Sequence, residues 1–139
     1  MEGSVKELAV YRYEKAKEDL DTAKMNHNNS MYKAAINRSY YAMFHGMRSV
    51  TILDGFDSSK HSGIIAFFNQ TYIKNGIFDK VISKIIAGAS RLREKSDYTD
   101  FYIASKQDSA DQLSKAEEFL RVIDEFLVKQ NVLIRKFDN

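Results

Sequence analysis

Apolar residues recur along most of the chain at steps of three and four positions, which is the period of an α-helix with one buried face. The first such stretch, about residues 5–25, predicts a helix with a mixed-charge outer side. The buried stripe of this helix is formed by Leu8, Ala9, Arg12, Tyr13, Ala16, Leu20 and Ala23. A polar run over residues 27–30 then predicts an exposed loop, with His27 in solvent and Ser30 as the N-cap of the next helix.

The second stretch, about residues 31–53, is apolar on most sides and predicts the most deeply buried helix. Asp54 and Gly55 supply its C-terminal stop. A shorter helix is predicted over about residues 61–74, and Asn75 and Gly76 end it.

A fourth helix is predicted to begin at Asp79 as its N-cap and to become basic toward its end. We expect residues 96–102 to form an ordered loop, because three aromatic side chains would otherwise stay in water. Ser105 and Asp108 resemble a capping box that opens the last long helix. Residues 131–139 are expected to continue that helix or to form a basic, partly apolar tail.

These elements predict an all-α fold, an up-and-down helical bundle of four main helices plus one short helix. The 139 residues fit one domain, 1–139, with a core at about 5–127 and a C-terminal extension at 128–139. The chain has no proline and only 6 glycines, which suits long helices.

Composition excludes several classes of protein. There is no cysteine, so disulfides and thiolate metal sites are excluded and a cytoplasmic location is expected. No stretch approaches the roughly 18 apolar residues of a membrane span, and the polar start is unlike a signal peptide. A net charge of +2 is too small to indicate nucleic-acid binding, which would need a local basic patch.

The three histidines have no metal-ligand spacing, and no glycine-rich phosphate loop is present, so we expect neither a metal nor a cofactor. The remaining chemistry lies in the helix of residues 31–53. Arg38 and His45 share one face there and lie roughly 10 Å apart along the axis. Their side chains can therefore address one phosphate. The alternative is a core helix with an ion-paired arginine and a hydrogen-bonded histidine.

Residues 35–45, which carry Arg38 and His45, resemble the second helix of HEPN domains, small helical bundles of bacteria and archaea. Residues 60–65 and 91–98 are similar to the same family, and the resemblance covers roughly Tyr11 to Phe126. The family motif is an arginine followed after four to six residues by a histidine. Arg38 and His45, with six residues between them, match its upper limit.

In catalytic HEPN proteins these residues from two subunits line a cleft at a dimer interface and cut RNA without a metal. The resemblance implies that Arg38 clamps a phosphate and that His45 is a general acid or base, a role suited to a pKa near 6.5. It implies that Asn37 and Tyr41 orient them. The position after the arginine, often Asn, Asp or His in active members, is Ser39 here.

The phosphate-binding surface is expected to extend to His61, Arg91 and Arg93. The alternative is that His61 only starts a helix and that Arg93 pairs with Asp97 one turn later. A toxin subgroup of the family carries a tyrosine two residues after the histidine, where a partner nucleotidyltransferase attaches AMP. That position is Met47 here.

Two functions follow from the resemblance. The first is a metal-independent ribonuclease, the toxin of a toxin–antitoxin pair with a minimal nucleotidyltransferase as its antitoxin. The second is a non-catalytic HEPN module that binds a nucleotide or phosphate and acts as a scaffold for that nucleotidyltransferase. Both imply a homodimer, whose interface the 8 tyrosines and 9 phenylalanines can supply.

Overall fold

The computed structural model describes the backbone of residues 2–134 and the side chains of residues 4–134. The described part of the chain forms five α-helices: α1 (Glu2–Asn28), α2 (Tyr32–Thr51), α3 (His61–Phe68), α4 (Lys80–Tyr98) and α5 (Lys106–Lys129). A 3-10 turn, Ile52–Asp54, follows α2, and a π-helical turn, Asn69–Ile73, extends α3. The prediction of an all-α bundle with four main helices and one short helix is confirmed.

Helix α2 is the centre of the bundle. It packs against each of the other four α-helices, and most of its residues are buried, as its apolar sequence predicts. Gly46 lets α5 approach closely, because a Cβ atom built at this position would lie 2.8 Å from Cδ2 of Leu120. One apolar core joins residues of all five helices, among them Ala9, Met43, Ile64, Ile82 and Phe119.

Several helical segments end in the same way, at a residue of positive φ. These residues are Ser30, Gly55, Gly76 and Asn131. In each case the next backbone N–H donates to the carbonyl five residues back, which is the Schellman arrangement. The prediction that Ser30 caps α2 is therefore wrong: Ser30 ends α1, which runs on through His27 and Asn28. The predicted stops at Gly55 and Gly76 are confirmed.

Two predicted N-caps are present. The Asp79 carboxylate accepts a hydrogen bond from the backbone N–H of Val81 at 2.9 Å. The Ser105 hydroxyl accepts one from the backbone N–H of Asp108, also at 2.9 Å. Each side chain satisfies a donor that the first helical turn leaves unpaired, so α4 and α5 begin where the sequence predicts.

The prediction that residues 96–102 form a loop that shelters its aromatic side chains is wrong for residues 96–98, which are helical, and for the rings of Tyr98 and Phe101. Helix α4 continues to Tyr98, since residues 89–98 include neither a proline nor a glycine that would end it earlier. The Tyr98 side chain is 76% exposed and Phe101 is fully exposed. The end of α4 and the connection that follows it therefore leave these two rings in solvent.

Helix α5 ends at Lys129, and the chain turns at Asn131 so that Val132 returns to the core. Residues 131–134 therefore do not continue the helix. The rest of the predicted extension, residues 135–139, lies outside the described residues. None of the helices within the described range is long and apolar enough to cross a membrane.

Candidate functional site

Arg38 and His45 meet a buried carboxylate where α2 packs against α1. Nη1 of Arg38 donates to Oδ1 of Asp19 at 3.1 Å. Nε2 of His45 lies 3.7 Å from Oδ2 of the same carboxylate, which is too far for a hydrogen bond. Asp19 therefore lies between the two residues of the motif and bonds directly only to the arginine.

Sequence reasoning missed Asp19, although a signal was present. Asp19 follows Ala16 by three residues and precedes Ala23 by four, so it falls on the buried stripe of α1. It is only 8% exposed. A carboxylate at such a position needs a charged or hydrogen-bonding partner. Burial raises the pKa of Asp19, against the lowering effect of Arg38 and Lys15.

Three groups hold the Arg38 guanidinium. Besides Asp19, the side-chain oxygen of Asn37 accepts from Nε at 3.1 Å and from Nη2 at 2.8 Å. The guanidinium also lies 4.9 Å from the centre of the Tyr41 ring, a cation–π contact. The arginine side chain nevertheless remains 37% exposed. It is thus oriented while still open to a ligand.

The exposed side of Arg38 faces an open cleft of about 820 Å³. The cleft lies between the end of α1, the start of α2 and the connection from α4 to α5. Its walls are largely apolar and include Met31, Ala34 and Ile103, with Asn37 beside Arg38. The cleft therefore places one guanidinium beside an apolar surface.

His45 is more enclosed than Arg38. Its side chain is 12% exposed, and Nδ1 is buried without a hydrogen-bond partner among the described residues. Burial, reinforced by the positive charges of Lys15, Arg48, Arg38 and Arg12, lowers the pKa of His45 to about 4. The sequence-based expectation of a pKa near 6.5 thus differs from the structure, and the imidazole is neutral at pH 7.

Tyr41 joins the motif to two further residues predicted for the site. Its ring centre lies 6.1 Å from that of His45 and 5.5 Å from that of His61. The Arg93 guanidinium lies 5.9 Å from the Tyr41 ring. The fold therefore brings Arg38, His45, His61 and Arg93 together around the Tyr41 ring.

His61 and Arg93 also have structural contacts of their own. The imidazole of His61 packs at a tilt against Phe44, with the ring centres 4.2 Å apart, and its Nδ1 lies 3.1 Å from the Tyr40 hydroxyl. Burial and nearby arginines lower the pKa of His61. Arg93 pairs with Asp97 at 3.4 Å, as one alternative from the sequence supposes, while its guanidinium lies over Tyr40.

Arg91 lies away from this group. It is exposed, and two positions along α4 place it about 200° around the helix from Arg93. Among the alternatives for the motif itself, the ion-paired arginine is present, whereas the histidine makes no hydrogen bond to a described residue. Ser39 and Met47, the two departures from the family pattern noted in the sequence, are both fully buried.

Within the described part of the chain, no three His, Cys, Asp or Glu side chains converge as metal ligands would. What the arrangement offers is an exposed guanidinium, a neutral imidazole and a carboxylate between them. Such a set can bind an anion and move a proton without a metal.

Comparisons with known proteins agree with the fold. A model of the HEPN domain family matches residues 9–126. A UPF0332 protein of Thermotoga maritima is 32% identical over 120 residues, which is 86% of this chain and 91% of that protein. Two Methanocaldococcus jannaschii proteins carry the name "Putative toxin". MJ0605 is 34% identical over 60% of this chain and 63% of its own length, and MJ0142 is 28% identical over 91% and 86%.

Proposed function

The chain belongs to the HEPN family, and we propose that it is a metal-independent endoribonuclease, the toxin of a toxin–antitoxin pair. Its neutralising partner in this proposal is a minimal nucleotidyltransferase. The names of the two Methanocaldococcus jannaschii relatives support a toxin role. Those names state no reaction, so the proposed cleavage chemistry is argued from the residues of the site.

The observation that carries the proposal is the position of Asp19 between Arg38 and His45. The carboxylate holds the guanidinium at the mouth of the cleft. Because Arg38 is still 37% exposed, a phosphate can bind its free edge from the cleft side. Nε2 of His45 has no hydrogen bond to Asp19, so in the tautomer that carries its proton on Nδ1 the Nε2 lone pair can accept a proton.

In the proposed reaction the 2′-oxygen of a ribose attacks the adjacent phosphorus while His45 takes the hydroxyl proton. The bond from phosphorus to the 5′-oxygen breaks, which leaves a 2′,3′-cyclic phosphate and a 5′-hydroxyl. Arg38 stabilises the negative charge that develops on the phosphoryl oxygens. The leaving oxygen takes its proton from water or from the histidine of a second subunit.

The low pKa of His45 fits the accepting role, because the free protein holds the imidazole neutral at pH 7. A phosphate brought among the surrounding cations adds negative charge near the ring. That charge stabilises the imidazolium and raises the pKa of His45. Substrate binding thus makes the histidine a better base.

A homodimer is part of the proposal, since one Arg38–His45 pair supplies half of the cleft that the family uses. Exposed apolar side chains in this part of the chain are suited to an interface. Met31 and Ile103 line the cleft, and Tyr98 and Phe101 are exposed at the end of α4 and just after it.

The test combines growth and cleavage. Wild type should arrest growth on expression and cut RNA in EDTA, whereas Arg38→Ala and His45→Ala should do neither. His27→Ala is the matched control. His27 contacts Ser109 on α5 and neither Arg38 nor His45, so this variant should keep full activity. RNA carrying 2′-O-methyl groups should resist cleavage. Activity that survives in His45→Ala would refute the assigned proton transfer.

One observation favours the second candidate, a nucleotide-binding scaffold for a nucleotidyltransferase. The His45 side chain is mostly enclosed, whereas the cleft beside Arg38 is open and largely apolar, as suits a nucleobase with its phosphate. A dimeric wild type that binds nucleotide, leaves RNA intact and does not slow growth would establish the scaffold.

A further inference from the structure

Two arginines share one loop carboxylate on the far side of His45 from Arg38. Nη2 of Arg12 donates to Oδ2 of Asp57 at 2.8 Å, and Nη2 of Arg48 donates to Oδ1 at 3.1 Å. Arg12 lies on α1 and Arg48 on α2, whereas Asp57 belongs to the loop before α3. Three elements therefore meet at this cluster.

The cluster has more donors than its single carboxylate can satisfy. Arg12 is more than nine-tenths buried, yet its Nη1 has no hydrogen-bond partner among the described residues. Nε of Arg48 is also buried and unpartnered within that range. Buried guanidinium N–H groups need acceptors, so the cluster has unused donors for a further anionic oxygen.

The cluster also adjoins the histidines of the site. The Arg48 guanidinium lies 5.9 Å from the centre of the Phe44 ring, which itself packs against His61. The positive charge of Arg48 helps to lower the pKa of both His45 and His61. Arg38 and Arg48 are ten residues apart on α2, roughly 15 Å along its axis, with His45 between them.

We propose that Arg12 and Arg48 bind a second phosphate of the RNA strand, and that Asp57 occupies this position until the strand displaces it. The proposal rests on the proposed function in one respect, that RNA lies along α2 between Arg38 and Arg48. A phosphodiester offers two free oxygens with the spacing that arginine recognises in a carboxylate. Asp57 is the displaceable member, since its side chain is 42% exposed and lies on a loop.

The test measures binding without cleavage. A labelled hexanucleotide and dinucleotide, both 2′-O-methylated, are titrated by fluorescence anisotropy at several salt concentrations. Arg48→Gln should weaken hexanucleotide binding about tenfold, since about 1.4 kcal/mol corresponds to a factor of ten, and leave dinucleotide binding unchanged. It should also reduce the slope of log K against log salt concentration by about 0.7, the value for one phosphate contact to a single strand.

Asp57→Asn should strengthen hexanucleotide binding several-fold. This change removes the charge that competes with phosphate and keeps the side-chain oxygen that accepts from the backbone N–H of Ser58. Arg121→Gln is the matched control, because Arg121 pairs with Glu125 on the exposed side of α5. Arg48→Lys keeps a positive charge and should retain most of the salt slope.

Three results would overturn the proposal: unchanged affinity and slope in Arg48→Gln, weaker binding in Asp57→Asn, or inorganic phosphate binding as tightly as the hexanucleotide. Thermal unfolding of each variant checks its fold. If Arg48→Gln does not fold, the hexanucleotide affinity of Asp57→Asn, which changes an exposed side chain, decides the question. Because the oligonucleotides cannot be cleaved, a wild type without ribonuclease activity leaves this test intact. An active wild type with no loss in Arg48→Gln would refute this inference alone.

Discussion

Replacing His45 with glutamine should remove much of the pH dependence of folding between pH 5 and pH 7. In the folded chain, burial and the surrounding cations lower the pKa of His45 to about 4, whereas an unfolded chain has the ordinary value of about 6.5. Between these values the unfolded chain binds a proton that the folded chain does not. The free energy of unfolding therefore rises with pH across this window and decreases as the pH falls.

The two pKa values give the size of the effect. At pH 7 protonation of His45 in the unfolded chain lowers the free energy of unfolding by only about 0.2 kcal/mol, and at pH 5 by about 2 kcal/mol. Below pH 4 the loss levels off at about 3 kcal/mol. Because the side chain is 12% exposed, solvent screening reduces the effect only modestly. Wild type should therefore lose about 2 kcal/mol more than His45→Gln between pH 7 and pH 5.

Urea unfolding followed by circular dichroism measures this difference. Protein and salt concentrations are held constant, because dimer dissociation and screening also change stability. His61 and Asp19 titrate in both proteins, so the difference between the two proteins reports the titration of His45. Equal losses in wild type and His45→Gln would refute the reasoning, as would an NMR titration of His45 at or above pH 6.5.

Three smaller perturbations test the packing and the interface. Gly46→Val should lower the free energy of unfolding by about 1–3 kcal/mol, because the added side chain overlaps Leu120; urea unfolding measures it. Gly88→Ala should raise that free energy by up to about 1 kcal/mol, since nothing lies within 4 Å of the added Cβ. A Gly46→Val variant more stable than wild type, or a Gly88→Ala variant less stable than wild type, would contradict the corresponding expectation. Phe101→Ser should weaken the proposed dimer without destabilising the monomer, as light scattering and urea unfolding can show; a variant as dimeric as wild type would exclude this ring from the interface.

Much of the site could be predicted because its motif lies on one helix. The helical period places Arg38 and His45 on one face, and Tyr41 joins them there. The family resemblance added His61 and Arg93, and the fold brings both to Tyr41. It also added Arg91, which lies on another side of α4, because a resemblance between sequences does not specify which way each side chain points.

The sequence alone determined the elements, since their signals act over a few residues. The three- and four-residue period, the caps at Asp79 and Ser105, and the stops at Gly55 and Gly76 all depend on nearby backbone groups. Ser30 shows the limit of such signals. A serine between two helices can cap the second or end the first, and the backbone conformation decides which.

Only the tertiary structure decided the chemistry of the site. Asp19 reaches Arg38 because α1 and α2 pack side by side, and the pKa of His45 falls because the fold buries the ring among four cations. The exposure of Phe101 likewise depends on where the core ends. Desolvation and the interaction between charges are set by distances through space, and these are fixed only when the helices dock.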